Sequence, residues 1–328
     1  MKIQSSIIEN KYLRIKTINI GATLFEIFHK QKKLNLILNL GSINKYKYKN
    51  FYVGSTCGRY AGRISNSNFL INKKKFYLSN NEGKTTLHGG KKGFNSLIWK
   101  KINHSKNKIT YFLKSLHLDQ GFPGNLNVWC SYQLLKKNLI IKYDYISDEY
   151  THVNLTNHSY WNLNLNKKQN IFNHDLKINS LKFLEVDTKL IPTGKIKDTK
   201  KTINDFHNFY NLGKKIILIK KRNIKKVSTT INQSGFDLTY VVKKNSKNYV
   251  ASLRNNDSKI KLDIFSNLPG VQLYTSQGLN YQKKLFPYQG ICLETQFFPD
   301  APNNKRFPST LIKPNKRYSF FTKFLIKY

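Results

Sequence analysis

Apolar and polar residues alternate in short stretches along most of the chain, which is the pattern of half-buried β-strands. Residues 12–18, which read YLRIKTI, show this alternation clearly. Further strands are predicted at 22–28, 34–40, 69–71, 75–78, 109–116, 128–135, 139–147, 251–254, 260–265, 271–274, 291–294 and 318–326. Turn-forming residues at 72–74 and 136–138 predict tight hairpins. So many short strands predict an all-β sandwich or barrel.

The period of 3.6 residues that marks amphipathic helices is nearly absent. Residues 204–210 predict one short helix, and residues 214–222 are too basic and too rich in β-branched side chains for a prediction. The stretch 188–234 carries most of the lysine runs and predicts a solvated surface loop. No repeat or linker divides the sequence, and all-β folds reach this size as one unit, so we predict a single domain over 1–328.

The 328 residues include 57 lysines and arginines against 17 aspartates and glutamates, which gives a formal net charge of +40. Such a charge raises the question of nucleic-acid binding. Arginine, which suits bidentate recognition of phosphates and bases, accounts for only seven of the 57, and the lysines are dispersed. The accompanying excess of Asn, Ile, Tyr and Phe is typical of a coding sequence rich in A and T. We therefore predict no specific nucleic-acid partner and only weak, salt-sensitive association with polyanions.

The three cysteines, Cys57, Cys130 and Cys292, are far apart and form no CxxC pair, which argues against a disulfide framework or a zinc knuckle. They predict reduced thiols in a cytoplasmic protein. Residues 1–20 lack the apolar centre of a signal peptide, and no apolar run approaches the roughly 18 residues that a membrane span requires.

Polar and glycine-rich segments interrupt the strand pattern at four places, and these are the candidates for a functional site. They are 58–64 (GRYAGRI), 87–90 (LHGG) followed by Gly93, Phe94 and Trp99, 154–163 (NLTNHSYWNL), and 291–303 (ICLETQFFPDAPN). The planar fork of an arginine could bind sugar hydroxyls, although on spacing alone a solvated turn explains the first segment better. In the second, the glycines allow close approach to a ligand and an aromatic could stack on a sugar ring. His88 fits a turn residue and a ligand contact equally well.

The third and fourth segments contain the best candidates for acid/base chemistry. His158 lies among four other polar residues and two aromatics, and its usual pKa is close to neutral pH, which suits a general acid. The alternative is a hydrogen-bonded core histidine. Glu294 ends an apolar run, where lost hydration raises the pKa of a carboxyl and makes it a competent base near neutral pH. Its alternative is a glutamate paired with a lysine.

Other catalytic classes lack their motifs in this sequence. It contains no GxGxxG segment and no P-loop, so no nucleotide cofactor is predicted. It also contains no HExxH motif, no clustered His and Cys ligands and no GxSxG elbow. We therefore predict an activity that needs no cofactor and no metal.

Taken in order, the four segments resemble those of the aldose 1-epimerases, also called galactose mutarotases. The resemblance continues through 235–237 (GFD), 270–275 (GVQLYT) and 307–309 (FPS), and so spans nearly the whole chain. It implies a large antiparallel β-sandwich of the galactose mutarotase type, with few short helices and the sugar in an open cleft. Two departures are Gly62, where the family commonly has Asn, and Leu238, where it often has His.

The resemblance also implies roles for individual residues. Glu294 matches the family's general base, and His158 matches its general acid. The substrate-binding positions implied in the same way are Arg63, His88, Asp237, Gln272 and Tyr160.

The function implied is interconversion of the α- and β-anomers of free hexoses such as glucose and galactose, by acid/base opening and closing of the ring. The protein is expected to be a monomer or a homodimer. One alternative is a hexose-6-phosphate 1-epimerase, which would need a cationic cluster for the phosphate. The other is a carbohydrate-binding protein without catalysis, against which the presence of both Glu294 and His158 argues.

Overall fold

The computed structural model describes residues 2–48, 51–221 and 234–328, and its strands form three larger sheets and four two-stranded pairs. The largest sheet has nine strands, in the spatial order Lys100–His104, Lys108–Ser115, Leu126–Leu135, Asn138–Ser147, Tyr318–Lys327, Ile260–Ser266, Tyr249–Asn255, His174–Ile178 and Tyr210–Asn211. All of its neighbouring strands are antiparallel.

A second sheet has six antiparallel strands, in the order Tyr160–Trp161, Ile291–Gln296, Gly270–Tyr274, Asp237–Val241, Lys182–Val186 and Pro192–Asp198. The third has four, in the order Ser5–Glu9, Leu13–Ile18, Thr23–His29 and Leu34–Asn35. The two-stranded pairs join Thr56–Cys57 to Thr156–Asn157, Arg63–Ile64 to Thr86–Leu87, Asn68–Ile71 to Lys74–Tyr77, and Thr151–His152 to Leu311–Ile312. The prediction of an antiparallel, all-β fold is confirmed.

Helices are few and short within the described ranges. The single α-helix is Leu212–Lys221, and turns of 3₁₀-helix lie at Ile43–Lys47, Ser65–Ser67, Phe94–Ser96, Asp119–Gly121, Ile171–Asn173 and Ala301–Asn303. The α-helix, which the sequence left undecided, begins after Asn211, whose side chain accepts a hydrogen bond from the backbone N–H of Lys214. Its buried face includes Lys215, whose amine lies over the rings of Phe206 and Tyr210. The lysine stem therefore replaces an apolar residue in the helical pattern.

The nine- and six-stranded sheets pack face to face around one large core. Trp161 from the six-stranded sheet contacts Phe324 from the nine-stranded sheet, with ring centroids 5.0 Å apart, and the Thr295 and Thr322 hydroxyls are hydrogen-bonded across the same interface. Apolar side chains of the four-stranded sheet, such as Ile15, join the same buried cluster. The predicted β-sandwich is therefore confirmed.

Most predicted strands are present with shifts of one or two residues, and three predictions are wrong. Residues 204–210 are not helical, because the Phe206 carbonyl accepts a hydrogen bond from Ile178 N instead of from a helical neighbour. The strand predicted at 34–40 ends at Asn35, since Leu38 N donates instead to the Tyr160 carbonyl. The loop predicted at 188–234 contains two strands and the α-helix, and its residues 222–233 lie outside the described ranges.

Candidate active site

An open cleft of about 860 Å³ lies over one face of the six-stranded sheet. The seven residues singled out from the sequence all line this cleft: Arg63, His88, His158, Tyr160, Asp237, Gln272 and Glu294. Residues that are more than 200 positions apart in the chain therefore meet at one place.

Strand register explains why the polar residues of the sheet share one face. Glu294 is paired with Gln272, and Gln272 with Thr239, on three neighbouring strands. Their chain neighbours Leu293 and Leu273 are paired with each other and belong to the large core. Because successive side chains of a strand point to opposite faces, the leucines fill the core while the polar residues line the cleft.

Gln272 links the polar residues of this face to one another. Its Nε2 donates to Asp237 Oδ1 at 2.6 Å, and its Oε1 accepts a hydrogen bond from the Thr239 hydroxyl. Both ends of the amide are therefore fixed by partners on the adjacent strand. Burial raises the pKa of Asp237, while Arg63 and the hydrogen bond from Gln272 act in the opposite direction.

Glu294 and His158 face each other at the bottom of the cleft. Glu294 Oε1 lies 3.8 Å from His158 Nε2, and their side chains are 2% and 6% exposed. The second carboxylate oxygen, Oε2, is buried and has no hydrogen-bond partner. Burial raises the pKa of Glu294 well above its usual range, and the nearby Asp237 carboxylate adds to this effect. A substrate hydroxyl could supply the missing partner.

Cys292 contacts the other nitrogen of His158, with its Sγ 3.5 Å from Nδ1. Burial raises the pKa of Cys292 well above its usual range and lowers the pKa of His158 to about 4. The thiol therefore keeps its proton, and its sulfur can donate to a bare Nδ1 or accept from Nδ1–H, so the imidazole can carry its hydrogen on either nitrogen. Tyr52 and Tyr160 flank the imidazole, with ring centroids 5.7 Å and 5.0 Å from it.

In the described part of the chain, the group of side chains that most resembles a metal site is His158, Cys292 and Glu294. Ligand atoms of His158, Cys292 and Glu294 lie within 4.8 Å of one another. However, Cys292 faces Nδ1 and Glu294 faces Nε2, and these nitrogens point in different directions from the ring. One ion could bind all three only if the imidazole turned, so the geometry fits a row of polar contacts through the imidazole better than a metal centre.

The opposite wall of the cleft consists of the short strand pair Arg63–Ile64 and Thr86–Leu87 with the loops around it, and it carries Arg63 and His88. Arg63 makes a bidentate ion pair with Glu82, with Nε and Nη2 at 2.6 Å and 2.9 Å from the two carboxylate oxygens. His88 Nδ1 accepts a hydrogen bond from the Gly62 N–H at 3.2 Å. Burial, His158 and Arg63 lower the pKa of His88 well below its usual range. His88 is therefore neutral and has Nε2–H as its donor.

These loops approach each other closely because of a glycine. Gly89 has φ +92°, and a Cβ on it would lie 1.9 Å from the Gly58 carbonyl oxygen. No other residue fits this contact, so the LHGG segment holds His88 against the segment that carries Arg63.

The sequence segments also contain residues that serve the fold and not the cleft. Arg59 is 2% exposed, and its guanidinium donates to the carbonyls of Pro123 and Gly124 at 2.8 Å and 2.9 Å. Trp99 and Phe94 are both buried in the core, where Trp99 Nε1 donates to the Phe94 carbonyl. Neither aromatic is available to stack on a sugar, which corrects that expectation.

Tyr160 lines the cleft, but its hydroxyl donates to the Phe51 carbonyl at 3.0 Å. Its ring therefore supports His158, and its hydroxyl hydrogen is already used.

Sequence reasoning did not identify four further residues of the site: Tyr52, Glu82, Tyr274 and Cys292. Cys292 and Tyr274 could have been found, because each lies two positions from a candidate on the same strand and so shares its face. Glu82 and Tyr52 lie outside regular strands, where the sequence carries no periodic signal.

Two features of the described residues bear on the surroundings of the site. All three cysteines are buried and free. No helix in the described ranges has the length and apolar character needed to cross a membrane.

Comparison with known proteins gives the family of the chain. The family model described as aldose 1-epimerase matches residues 4–325. The galactose mutarotase of Sus scrofa is 32% identical, with 97% of this chain and 92% of that protein aligned. The aldose 1-epimerase of Escherichia coli K12 is 30% identical, over 88% of this chain and 84% of that protein.

Among solved structures, the GalM/aldose epimerase homologue from C. elegans superposes with a TM-score of 0.90 at 25% identity, covering 100% of this chain and 99% of that one. The galactose 1-epimerase from Lactobacillus acidophilus NCFM, at 23% identity, shares the fold with a TM-score of 0.82 and covers 100% of this chain and 99% of its own. The chain therefore belongs to the aldose 1-epimerase family and is an isomerase that acts on a small sugar.

Proposed function

We propose that the chain interconverts the α- and β-anomers of free hexoses such as glucose and galactose, with Glu294 as general base and His158 as general acid. The observation that carries this proposal is the buried Glu294–His158 pair, whose facing oxygen and nitrogen atoms are 3.8 Å apart. Galactose is included among the proposed substrates because relatives at about 30% identity are named galactose mutarotase.

The pair is best described by the number of protons that it shares. Burial opposes a charge on either group, since it raises the pKa of Glu294 and lowers that of His158. At pH values between the lowered pKa of His158 and the raised pKa of Glu294, the pair therefore holds one proton, which can lie on the carboxyl or on the imidazole. The second arrangement, a carboxylate beside an imidazolium, has both a base and an acid ready for the sugar.

In the proposed reaction, Glu294 takes the proton of the anomeric hydroxyl while His158 Nε2 gives a proton to the ring oxygen. The C1–O5 bond breaks and the open aldehyde forms. Rotation about C1–C2 presents the other face of the carbonyl, and O5 attacks it as both protons return. The pair ends in its starting state, so atoms, electrons and protons balance without a redox partner.

The proposed sugar contacts come from both walls of the cleft. Asp237 and Gln272 offer an acceptor and an amide from the sheet, and their mutual hydrogen bond fixes both. Arg63 and His88 offer N–H donors from the loops, and donors of this kind match sugar hydroxyls. Tyr160 acts through its ring, which supports the His158 imidazole.

The test is polarimetry of freshly dissolved α-D-glucose and α-D-galactose. We expect the protein to accelerate the approach to anomeric equilibrium, and a Glu294→Gln variant to lose most of this acceleration. Folded wild-type protein that leaves the spontaneous rate unchanged would contradict the proposal. Sugar binding without acceleration would instead support a carbohydrate-binding protein.

We also propose a single domain over 1–328, a cytoplasmic location, and a monomer or homodimer. One core cluster that draws on all three larger sheets supports the single domain. Three buried, free thiols suit a reducing compartment.

A further inference from the structure

Charge is distributed unevenly between the cleft and the rest of the molecule. Four of the chain's 17 acidic residues line the cleft, namely Glu82, Asp187, Asp237 and Glu294. Among the basic residues within the described ranges, only three do so, namely Arg63, Lys84 and Lys189. A chain with a formal charge of +40 therefore has a cleft in which acids outnumber bases.

Arg63 is a substrate-binding position implied by the family resemblance, and Glu82 occupies one edge of its guanidinium. Two of the five Arg63 N–H groups are directed to Glu82, at 2.6 Å and 2.9 Å. The Arg63 side chain is 16% exposed, whereas Glu82 is 41% exposed and lies at the mouth of the cleft. The bidentate geometry is the arrangement in which arginine binds carboxylates and phosphates most strongly.

The loop that carries Glu82 is tied to the strand pair that carries Arg63. Glu82 N donates to the Thr85 carbonyl and Thr85 N to the Glu82 carbonyl, which closes a tight turn. The neighbouring Asn81 side chain accepts from Leu87 N at 2.7 Å, and Leu87 is the strand partner of Arg63. Glu82 is therefore held in place by backbone hydrogen bonds, and its ion pair does not depend on a long flexible loop.

We propose that Glu82 is a specificity-determining residue, which makes the cleft select uncharged aldoses over aldoses that carry a phosphate or carboxylate. Its carboxylate occupies the edge of Arg63 that would otherwise bind such an anion, and it repels a second negative charge at the cleft mouth. The remaining N–H groups of Arg63 stay available to hydroxyls. This inference rests on the proposed function, because it assigns the charge of that enzyme's substrate.

The chain offers a matched control for the Arg63–Glu82 pair. Arg14 Nε lies 2.9 Å from Glu26 Oε1 on the four-stranded sheet, and neither residue lines the cleft. Glu26→Gln therefore removes one negative charge and one Arg–Glu pair at a distance from the site, while Glu82→Gln does so within it.

The experiment measures equilibrium binding of glucose and of glucose 6-phosphate to the wild type, Glu82→Gln and Glu26→Gln, by titration calorimetry at low and high salt. In Glu82→Gln we expect the affinity for glucose 6-phosphate to rise about tenfold relative to that for glucose, which is typical of one charge-assisted hydrogen bond. The gain should shrink at high salt. Glu26→Gln should keep the wild-type ratio.

Two results would overturn the role of Glu82. One is a wild type that binds glucose 6-phosphate as tightly as glucose. The other is a Glu82→Gln variant in which both affinities change by the same factor, since this is the effect of a merely structural residue. Failure of the proposed function is a separate result: a wild type that binds glucose but does not accelerate its mutarotation.

Discussion

The two walls of the cleft are built in different ways. The sheet wall carries Asp237, Gln272 and Glu294 on adjacent strands, where register alone brings them to one face. The loop wall carries Arg63 and His88, which depend on a glycine contact, a backbone hydrogen bond and the Glu82 ion pair. The groups proposed to move protons belong to the rigid wall and the segment beside it. The groups proposed only to hold the sugar lie on both walls, with Asp237 and Gln272 on the sheet and Arg63 and His88 on the loop wall.

This difference leads to an expectation about kinetics. Proton transfer requires placement to within a fraction of an ångström, which packed strands provide. Recognition of hydroxyls tolerates more movement. Substitutions of the proton-transfer groups Glu294 and His158 should therefore act mainly on kcat, and those on the loop wall mainly on KM.

The largest effect is expected from the acid/base pair. Glu294→Gln and His158→Asn should each lower kcat by about 10²–10⁴-fold, with a smaller change in KM, because each removes one positioned proton-transfer group. Polarimetry with both anomers of glucose would measure this. Since the two groups act as a unit, the double variant should be scarcely slower than the worse single variant.

Additive losses in that double variant would show that the two residues act independently, which contradicts the shared-proton description. Glu26→Gln is the control for loss of a carboxylate, since Glu26 pairs with Arg14 outside the cleft. Near-ultraviolet circular dichroism would establish that each variant keeps its packed core.

The pH dependence of kcat/KM tests the same pair without substitution. Burial lowers the pKa of His158 to about 4, so the pair gains a second proton, and loses its base, only as the pH falls toward that value. Burial raises the pKa of Glu294, so the pair loses its only proton, and with it the acid, only as the pH rises through that raised value. We expect a plateau between these two pKa values, with a decline at each end. A midpoint at the usual histidine pKa of about 6.5 would contradict this expectation.

A smaller effect is expected on the loop wall. Arg63→Lys keeps the positive charge but loses the planar fork that binds Glu82 and the sugar together. We expect KM for glucose to rise about tenfold, the loss of one or two hydrogen bonds to a charged group, while kcat changes less. Steady-state polarimetry separates the two constants, and Arg14→Lys is the control. If Arg63→Lys lowered kcat as much as Glu294→Gln, the expectation that substitutions on the loop wall act mainly on KM would be wrong.

The sequence pattern predicted the strands of the sheet wall better than the contacts of the loop wall. The strands predicted at 291–294 and 271–274 are close to the observed Ile291–Gln296 and Gly270–Tyr274, because the apolar residues of both strands are buried. It did not predict Asp237–Val241 or Lys182–Val186 on the same sheet, nor Ser5–Glu9, Lys100–His104, His174–Ile178 and Pro192–Asp198. The exposed strand Lys100–His104 has no buried face to create a pattern, and the alternation in Asp237–Val241 covers only five residues.

The site residues were implied by resemblance and not by periodicity. Their meeting in one cleft agrees with the assigned roles, which stay predictions until they are tested. Glu82 carried no signal, because its importance arises from a contact with Arg63, 19 positions away, across a turn. Lysine excess obscured the helix Leu212–Lys221 in a similar way, since a buried Lys215 stands where the helical pattern expects an apolar residue.

The smallest effect is expected at Gly62, which lies at the junction of the walls. It has φ +79°, a conformation that asparagine tolerates better than most residues, and a Cβ there would lie 2.9 Å from Pro299 Cγ. Gly62→Asn, the residue common in the family, should therefore lower the free energy of unfolding by about 1 kcal/mol, as the Pro299 ring shifts. Its added amide should lower KM for free hexoses about threefold, the effect of one neutral hydrogen bond, with kcat unchanged.

Gly62→Ala is the matched control, because it adds the same Cβ without the amide. Thermal unfolding should show a loss of stability in both variants, larger in the alanine because it tolerates a positive φ less well than asparagine, whereas only the asparagine should change KM. An alanine that improves KM equally would assign the effect to the backbone of the loop. An asparagine that lowers kcat would mean that Gly62 influences proton transfer, through its N–H bond to His88, and that the loop wall takes part in the chemistry.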